Sequence, residues 1–134
     1  MIEYNQEIIG YITYFENVTK ASVKDCFFEG DYLVFVVDQG QLRNALGKGG
    51  EKVRKVSART KKKVKILEFN KDVTRFVLNL LYPMKPEVVL EEDNVVIKTT
   101  SNKEKGQIFG REKSNFKRVQ AMVKKYFKID VRVE

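Results

Sequence analysis

A four-residue segment, Gly47–Gly50, has residue types and a position that suit the binding of phosphate. Its sequence is Gly-Lys-Gly-Gly, and it separates two stretches with helical periodicity. Glycine adopts positive φ angles without a Cβ clash, so the segment can turn tightly and let a phosphodiester backbone approach the main chain. The helix that begins near Glu51 would add free N–H groups and the positive end of its dipole. The segment therefore predicts a phosphate-binding turn, with Lys48 as a point charge.

A degenerate copy of this segment lies 63 positions further along the chain, at Gly110–Lys113, with the sequence Gly-Arg-Glu-Lys. At the same offset, Glu29–Ile66 aligns with Glu92–Ile129 without a gap. An internal repeat of this length indicates one small fold used twice. We therefore predict two modules, residues 1–70 and residues 71–134.

Positive charge is concentrated around the two glycine-containing segments. The net charge is +8 at pH 7. Residues 39–65 carry ten basic and one acidic side chain, and residues 105–134 carry nine and three. Clustered positive charge is typical of proteins that bind a polyanion, so we expect RNA, DNA, the ribosome or an acidic lipid surface as the partner.

The cysteine and histidine content excludes several classes of site. The chain has one cysteine and no histidine, so it can form no intramolecular disulfide, no His/Cys zinc site and no Ser/His or Cys/His nucleophile pair. Cys26 lies in an apolar stretch and is predicted to be a buried structural thiol. A P-loop is also excluded, because Gly49 stands where Ser or Thr is needed after Lys48. We predict a protein that is not an enzyme and that needs no metal and no cofactor.

The pattern of apolar residues argues against a membrane protein and against secretion. The longest uninterrupted apolar run, Tyr32–Val37, is far shorter than the roughly 20 residues of a membrane-spanning helix. The N-terminus lacks the basic region and apolar core of a signal peptide. We expect a cytoplasmic monomer with no membrane partner.

Hydrophobic periodicity predicts the same order of elements in both halves: helix, strand, strand, helix, loop, helix and strand. The predicted helices are Tyr4–Lys20, Gln41–Leu46, Glu51–Lys62, a helix capped by Asp72 and ended by Tyr82-Pro83, Asn102–Phe109 and Ser114–Phe127. The predicted strands are Val23–Phe28, Tyr32–Val37, Val64–Phe69, Glu87–Leu90, Val95–Thr100 and Ile129–Val133. In the first short helix, Leu42, Ala45 and Leu46 are predicted to face the core. The fold class is α+β, with a three-stranded sheet and helices packed on one face in each half.

The segment from Leu46 to Lys55, Leu-Gly-Lys-Gly-Gly-Glu-Lys-Val-Arg-Lys, resembles the KH domain, whose GxxG loop clamps about four nucleotides of a single strand. The element order is similar to the type II arrangement, so the resemblance implies two tandem type II KH modules. Such a pair, with Gly-Arg-Glu-Lys-Ser-Asn in the second loop and Phe76–Pro83 leading into the second module, resembles the archaeal NusA family of transcription factors. The resemblance implies an RNA-binding factor of transcription termination, antitermination or elongation. It also implies the nascent transcript as ligand and RNA polymerase as a further partner.

The resemblance also implies which residues contact RNA, namely the two loops and the basic residues beside them. These residues are Arg43, Gly47, Lys48, Gly49, Gly50, Lys52, Arg54, Lys55, Gly110, Arg111, Glu112, Lys113 and Lys117. The second loop departs from the family pattern, because Lys113 stands where the closing glycine is expected. A non-glycine residue in the left-handed region costs about 1–2 kcal/mol. We therefore expect the second loop either to differ in shape or to use Lys113 as a point charge.

Two other functions fit the same residues. An RNA-binding protein of ribosome assembly or of the small ribosomal subunit, with ribosomal RNA as ligand, would have similar modules. An adaptor with the KH fold that binds protein suits the degenerate second loop.

The roles of some residues outside the loops have two interpretations. Lys61–Lys63 is either a solvated charge run at a helix end or a phosphate contact. Phe116 and Phe127 lie on the core-facing stripe of their helix, which favours packing over base stacking.

Overall fold

The structure is a computed structural model that describes residues 5–134, and this part of the chain divides after Phe69 into two compact units. The helices are α1 Gln6–Thr19, α2 Leu42–Leu46, α3 Glu51–Thr60, α4 Val73–Leu81, α5 Asn102–Phe109 and α6 Ser114–Phe127. The strands are β1 Val23–Glu29, β2 Tyr32–Val37, β3 Lys63–Glu68, β4 Glu87–Glu91, β5 Asn94–Lys98 and β6 Asp130–Val133. Single 3₁₀ turns, Lys48–Gly50 and Arg111–Lys113, precede α3 and α6.

Each unit contains one three-stranded mixed sheet. In the first unit the strand order is β1-β2-β3, with β1 antiparallel and β3 parallel to β2. A parallel pair needs a long crossover between its strands, and here the crossover consists of α2, the glycine loop and α3. The second unit repeats this arrangement with β4-β5-β6, α5 and α6. The predicted α+β class and the two three-stranded sheets are confirmed.

The core of the first unit lies between β2 and the three helices. Phe15 of α1 stacks on Phe35 of β2, with ring centroids 4.1 Å apart, and both rings are fully buried. Ala45 of α2 and Val56 of α3 are buried in the same cluster. These contacts fix both helices that flank the glycine loop. The loop is therefore held from each side by buried side chains.

The element boundaries agree with the sequence to within about two residues, and the differences have local causes. The start of the first predicted helix at Tyr4 lies outside the described residues, and Asn5 caps α1 by accepting a hydrogen bond from the Ile8 N–H. Helix α3 ends at Thr60 rather than at Lys62, because Lys61 adopts a left-handed conformation with φ of 58°. Asp72 caps α4 as predicted.

Cys26 is buried, as the apolar stretch around it predicts. Burial, with a smaller contribution from the neighbouring Asp25 charge, raises the pKa of this thiol to about 12. The thiol therefore stays protonated at neutral pH and packs as a small apolar side chain. Across residues 5–134, no helix combines the length and the apolar character that crossing a membrane requires.

Candidate nucleic-acid interface

Three glycines give the first loop its shape. Gly47, Gly49 and Gly50 have φ angles of 73°, 63° and 76°, all in the region that favours glycine. The Gly50 N–H donates to the Gly47 carbonyl at 3.2 Å, which closes the turn. A Cβ atom on Gly47 would lie 2.7 Å from Cγ of Lys52, so a side chain at this position would have to displace the Lys52 side chain.

The helices that follow the two loops start without a side-chain cap. Neither Gly50 before α3 nor Lys113 before α6 makes a side-chain cap hydrogen bond, whereas Asn5, Asp72 and Ser101 cap α1, α4 and α5. Uncapped N–H groups at a helix N-terminus attract anions through their hydrogen bonds and through the helix dipole. The first N–H of each helix, that of Glu51 and that of Ser114, donates to the Lys48 or Arg111 carbonyl of the preceding turn, and no capping side chain covers either helix start.

The structure gives the basic residues near the first loop different environments. Lys48 in the loop and Lys55 on α3 are exposed. Arg54 donates from Nη1 to the Gly49 carbonyl at 2.6 Å, so it braces the loop. Lys52 is half-buried, and its Nζ donates to the Thr19 carbonyl at 3.3 Å. All four residues lie in the loop or in the first five residues of α3, and their contacts with RNA stay predictions.

An open groove of about 610 Å³ runs beside α2 as far as Leu46, the residue before the loop. It is lined by Gly40, Leu42, Arg43, Asn44, Leu46 and Glu68. Leu46 is 37% exposed, so the prediction that it faces the core is wrong. Only Ala45 is fully buried in this short helix, and Leu46 instead gives the groove an apolar wall next to Gly47. Arg43, predicted as an RNA contact, is exposed on the same groove.

Glu68 is a residue of this region that the sequence analysis missed. Its Oε2 accepts hydrogen bonds from the N–H groups of Gly40 at 3.1 Å and Leu42 at 3.0 Å. The carboxylate therefore ties the start of α2 to the end of β3. Its position as the first acidic residue after the basic segment 52–65 is a weak signal, since nothing in the sequence pairs it with α2.

The second loop has almost the same backbone as the first. Gly110, Glu112 and Lys113 have φ/ψ angles of 72°/179°, 55°/29° and 61°/20°, and the first loop has 73°/176°, 63°/20° and 76°/17° at the aligned positions. Of the two alternatives expected for the second loop, the different shape is wrong, and the use of Lys113 as a point charge stays a prediction. Glu112 and Lys113 adopt left-handed conformations that cost a non-glycine residue about 1–2 kcal/mol each.

Contacts outside the loop hold this strained conformation in place. Asn115 lies directly beneath Gly110, where an added Cβ would approach the Asn115 Cβ to 2.8 Å. The Asn115 Nδ2 donates to the Ile108 carbonyl at 3.0 Å. Arg118 donates to the Leu80 carbonyl at 2.9 Å and to Asn115 Oδ1 at 3.1 Å. These hydrogen bonds join α4, α5 and α6 around the loop. The backbone conformation of the loop is therefore set by contacts with the three helices rather than by glycine residues.

The side chains of the second site differ from those of the first. Arg111, Glu112, Lys113 and Lys117 are exposed. The Lys113 Nζ lies 5.8 Å from the ring centroid of Phe109, which occupies the position aligned with Leu46. Phe109 packs against Phe116 at 5.1 Å between ring centroids, in keeping with the predicted packing role of Phe116. Phe127 likewise packs against Phe76, at 5.7 Å.

We expect Lys113→Gly to raise the free energy of unfolding of the second unit by about 0.5–1 kcal/mol. Glycine relieves about 1–2 kcal/mol of left-handed backbone strain in the folded state. It also increases the entropy of the unfolded chain, which lowers the free energy of unfolding by about 0.4–1 kcal/mol. Urea denaturation followed by NMR signals of α6 measures the change. Lys113→Ala is the control, because alanine removes the charge and keeps the strain. Equal stabilities of the two variants would contradict the expectation.

A protein-family model described as "KH domain" matches residues 10–80, which include most of α1, all of α2 and α3, the first loop and the whole first sheet. This match covers more than half of the chain. The chain belongs to the KH domain family. The α4–β6 unit repeats the element order of the first unit, as expected for tandem KH modules.

Several archaeal proteins described as "Probable transcription termination protein NusA" are similar to this chain. The one from Methanocaldococcus jannaschii is 28% identical over 132 residues, which cover 96% of this chain and 72% of the relative. The one from Methanococcus vannielii is 36% identical over 88 residues, covering 66% of this chain and about half, 51%, of that relative. The resemblance to the archaeal NusA family is therefore confirmed.

A solved structure, the "Crystal structure of APE1850", has the same fold. It superposes with a TM-score of 0.75 and 27% sequence identity, and the match covers 97% of this chain and 99% of that one. Both sheets therefore have counterparts in an experimental structure. KH domains are RNA-binding modules rather than enzymes, as the sequence analysis predicts for this chain.

Proposed function

We propose that this chain is a single-stranded RNA-binding factor that acts during transcription, in termination or antitermination. Residues 1–70 and 71–134 act as two RNA-binding modules, each of which holds the RNA backbone at its loop. The proposal rests on the family membership, on the NusA relatives and on one structural observation above all. That observation is the uncapped N-terminus of α3, which opens from a loop with three positive-φ glycines and is surrounded by basic residues.

In this proposal the phosphates bind the loop and the bases enter the groove. The N–H groups at the start of α3 and the Lys48 ammonium take the phosphates, because charge-assisted hydrogen bonds to the main chain need the close approach that Gly49 permits. Leu42 and Leu46 then contact the bases, and Arg43 at the rim supplies a further donor. Four nucleotides fill such a site in a KH domain.

The proposed partners are the nascent transcript and RNA polymerase. Crosslinking the protein to RNA in cells, followed by sequencing of the bound RNA, tests this directly. We expect nascent messenger RNA in the bound fraction, together with recovery of RNA polymerase. The variant Lys48→Asp with Gly49→Asp is the matched control and is expected to recover far less RNA. Recovery of ribosomal RNA and ribosomal subunits in place of transcripts would contradict a role in transcription.

A further inference from the structure

A second pocket lies in the first unit, at the end of α3 that is remote from the loop. It has a volume of about 200 Å³ and is lined by Gly10, Tyr11, Tyr14, Arg59 and Thr60 of α1 and α3. Pockets that enclose a whole drug-sized molecule measure about 300–1,000 Å³. This pocket is therefore suited to a single flat ring.

Aromatic rings and basic side chains alternate around this pocket. The Arg59 guanidinium carbon lies 5.6 Å from the ring centroid of Tyr14. The Tyr11 ring meets the Phe28 ring edge-on at 6.2 Å, and the Lys62 Nζ lies 5.7 Å from the Phe28 centroid. Phe28 is 43% exposed, which is unusual for a phenylalanine in a strand that lies over a core. Rings that stack bases, interleaved with cations that attract phosphates, are the features of surfaces that bind single strands.

Gly10 is a separate observation that points to a ligand. It lies inside α1, where glycine is less favourable than alanine by about 0.5–1 kcal/mol. A Cβ on Gly10 would meet no atom within 4 Å, so packing does not require a glycine here. Its φ angle is also helical and suits any residue. The effect of the missing side chain is that the pocket stays open over the backbone of α1.

We propose that this pocket binds one unpaired nucleotide of the RNA, as a second contact beyond the Gly47–Gly50 loop. The base stacks against Tyr14 and Arg59 over Gly10, and the neighbouring phosphate lies towards Lys62. Helix α3 has ten residues and is about 15 Å long, so one strand can reach both of its ends. The inference rests on the proposed function, because it extends the path of the same RNA.

The charges around the pocket determine on which side the phosphate lies. Glu7 is next to the Tyr11 hydroxyl, and its negative charge adds to burial in raising the pKa of Tyr11. A phosphate is therefore disfavoured at the Glu7 side. Arg59 and Lys62 lie on α3 and just after it, on the opposite side, and both are exposed. Binding should depend on these two cations and should be independent of Glu7.

Filling the pocket tests the proposal. Gly10→Leu adds a side chain over the pocket floor and improves the helix propensity of α1, so the variant should stay folded. The probes are an oligouridylate of about 4 nucleotides, the length that a GxxG loop clamps, and one of about 12 nucleotides. We expect the affinity for the longer probe to fall about fivefold or more, since one stacked base is lost. The affinity for the shorter probe should be unchanged.

Neutralising the cations is the second test. Arg59→Gln with Lys62→Gln removes the cation that stacks on the base and the one phosphate contact, that of Lys62. The affinity for the longer probe should therefore fall, and the slope of log affinity against log salt should become shallower by about 0.7. Lys24→Gln with Lys85→Gln makes the same change of net charge at exposed positions outside the pocket and the loop. This control should leave the slope nearly unchanged.

Three outcomes would overturn the inference. The first is an unchanged affinity of folded Gly10→Leu for the longer probe, which removes the pocket from the RNA path and leaves the loop site intact. The second is an equal loss with both probes, which means that the variant disturbs the loop. The third is NMR shifts of Tyr11 and Tyr14 with an acidic peptide but not with RNA, which indicates a protein partner. If Lys48→Asp with Gly49→Asp keeps its affinity while Gly10→Leu loses it, the loop mechanism fails and the pocket stands.

Discussion

Lys48→Asp combined with Gly49→Asp is expected to lower the affinity for single-stranded RNA by about a hundredfold or more. Two carboxylates would face the phosphates in place of an ammonium and a bare main chain. Each lost hydrogen bond to a charged group is worth about 1.5–3 kcal/mol, and about 1.4 kcal/mol corresponds to a factor of ten. Fluorescence anisotropy with a labelled oligouridylate, at several salt concentrations, measures the loss. An unchanged affinity of a folded double variant would remove the loop from the binding site.

The same variant should keep its fold, and the second loop explains why. Gly49 has open space around it, so an added side chain meets no atom within 4 Å. Its φ angle of 63° is one that Glu112 already adopts at the aligned position, with φ of 55°. Circular dichroism checks the fold. Gly30→Asp with Lys128→Asp is a matched control, because it makes the same change of charge outside the loops and places one aspartate at a glycine with positive φ, as Gly49→Asp does. This control should bind RNA far more tightly than the loop variant.

The helices and strands could be predicted from the sequence because the residues with apolar periodicity are the ones that pack in the core. The run Tyr32–Val37 is β-branched and aromatic, and five of its six residues are buried in the central strand. Ser114–Phe127 places its apolar residues at helical spacing, and the helix has these bounds. Because equivalent residues of the repeat lie 63 positions apart, an element predicted in one half supports the same element in the other half. The two mixed sheets follow from that order of elements.

Predictions from the sequence were wrong where the backbone or side-chain position depends on contacts between residues far apart in the chain. The second loop lacks two glycines, so its local propensity argues against the observed path. Asn115 and Arg118 impose that path through bonds to the carbonyls of Ile108 and Leu80. Leu46 has the spacing of a core residue, but helical spacing alone does not say which face of a five-residue helix meets the sheet.

The pocket over Gly10 could not be predicted from the sequence either, because it forms only where α1 and α3 lie side by side. A glycine inside a helix is a weak signal by itself, and no motif includes Tyr11 or Tyr14. Arg59 lies 45 positions further along the chain, and no spacing rule connects it to Tyr14. Only the packing of the two helices brings these residues to one site.

The first loop is expected to contribute more to RNA binding than the second. Both loops have the same backbone shape, so the difference must come from their side chains. Glu112 places a carboxylate where the first loop has Gly49, and Gly106 occupies the position aligned with Arg43. We therefore expect Arg111→Asp with Lys113→Asp to lower affinity by about tenfold or less, against about a hundredfold for the first-loop variant. A larger loss from the second-loop variant would reverse this ranking.

Restoring the glycines to the second loop is the complementary experiment. Glu112→Gly with Lys113→Gly removes a negative charge and two side chains that keep a phosphate away from the start of α6, while Asn115 and Arg118 still hold the loop in its shape. We expect affinity for an oligonucleotide that reaches both loops to rise about threefold to tenfold, because a second attached site raises the effective concentration of the strand. Glu112→Gln is the control that removes only the charge. If the double glycine variant binds no better than Glu112→Gln, the side chains do not obstruct the backbone, and the carboxylate alone weakens the second site.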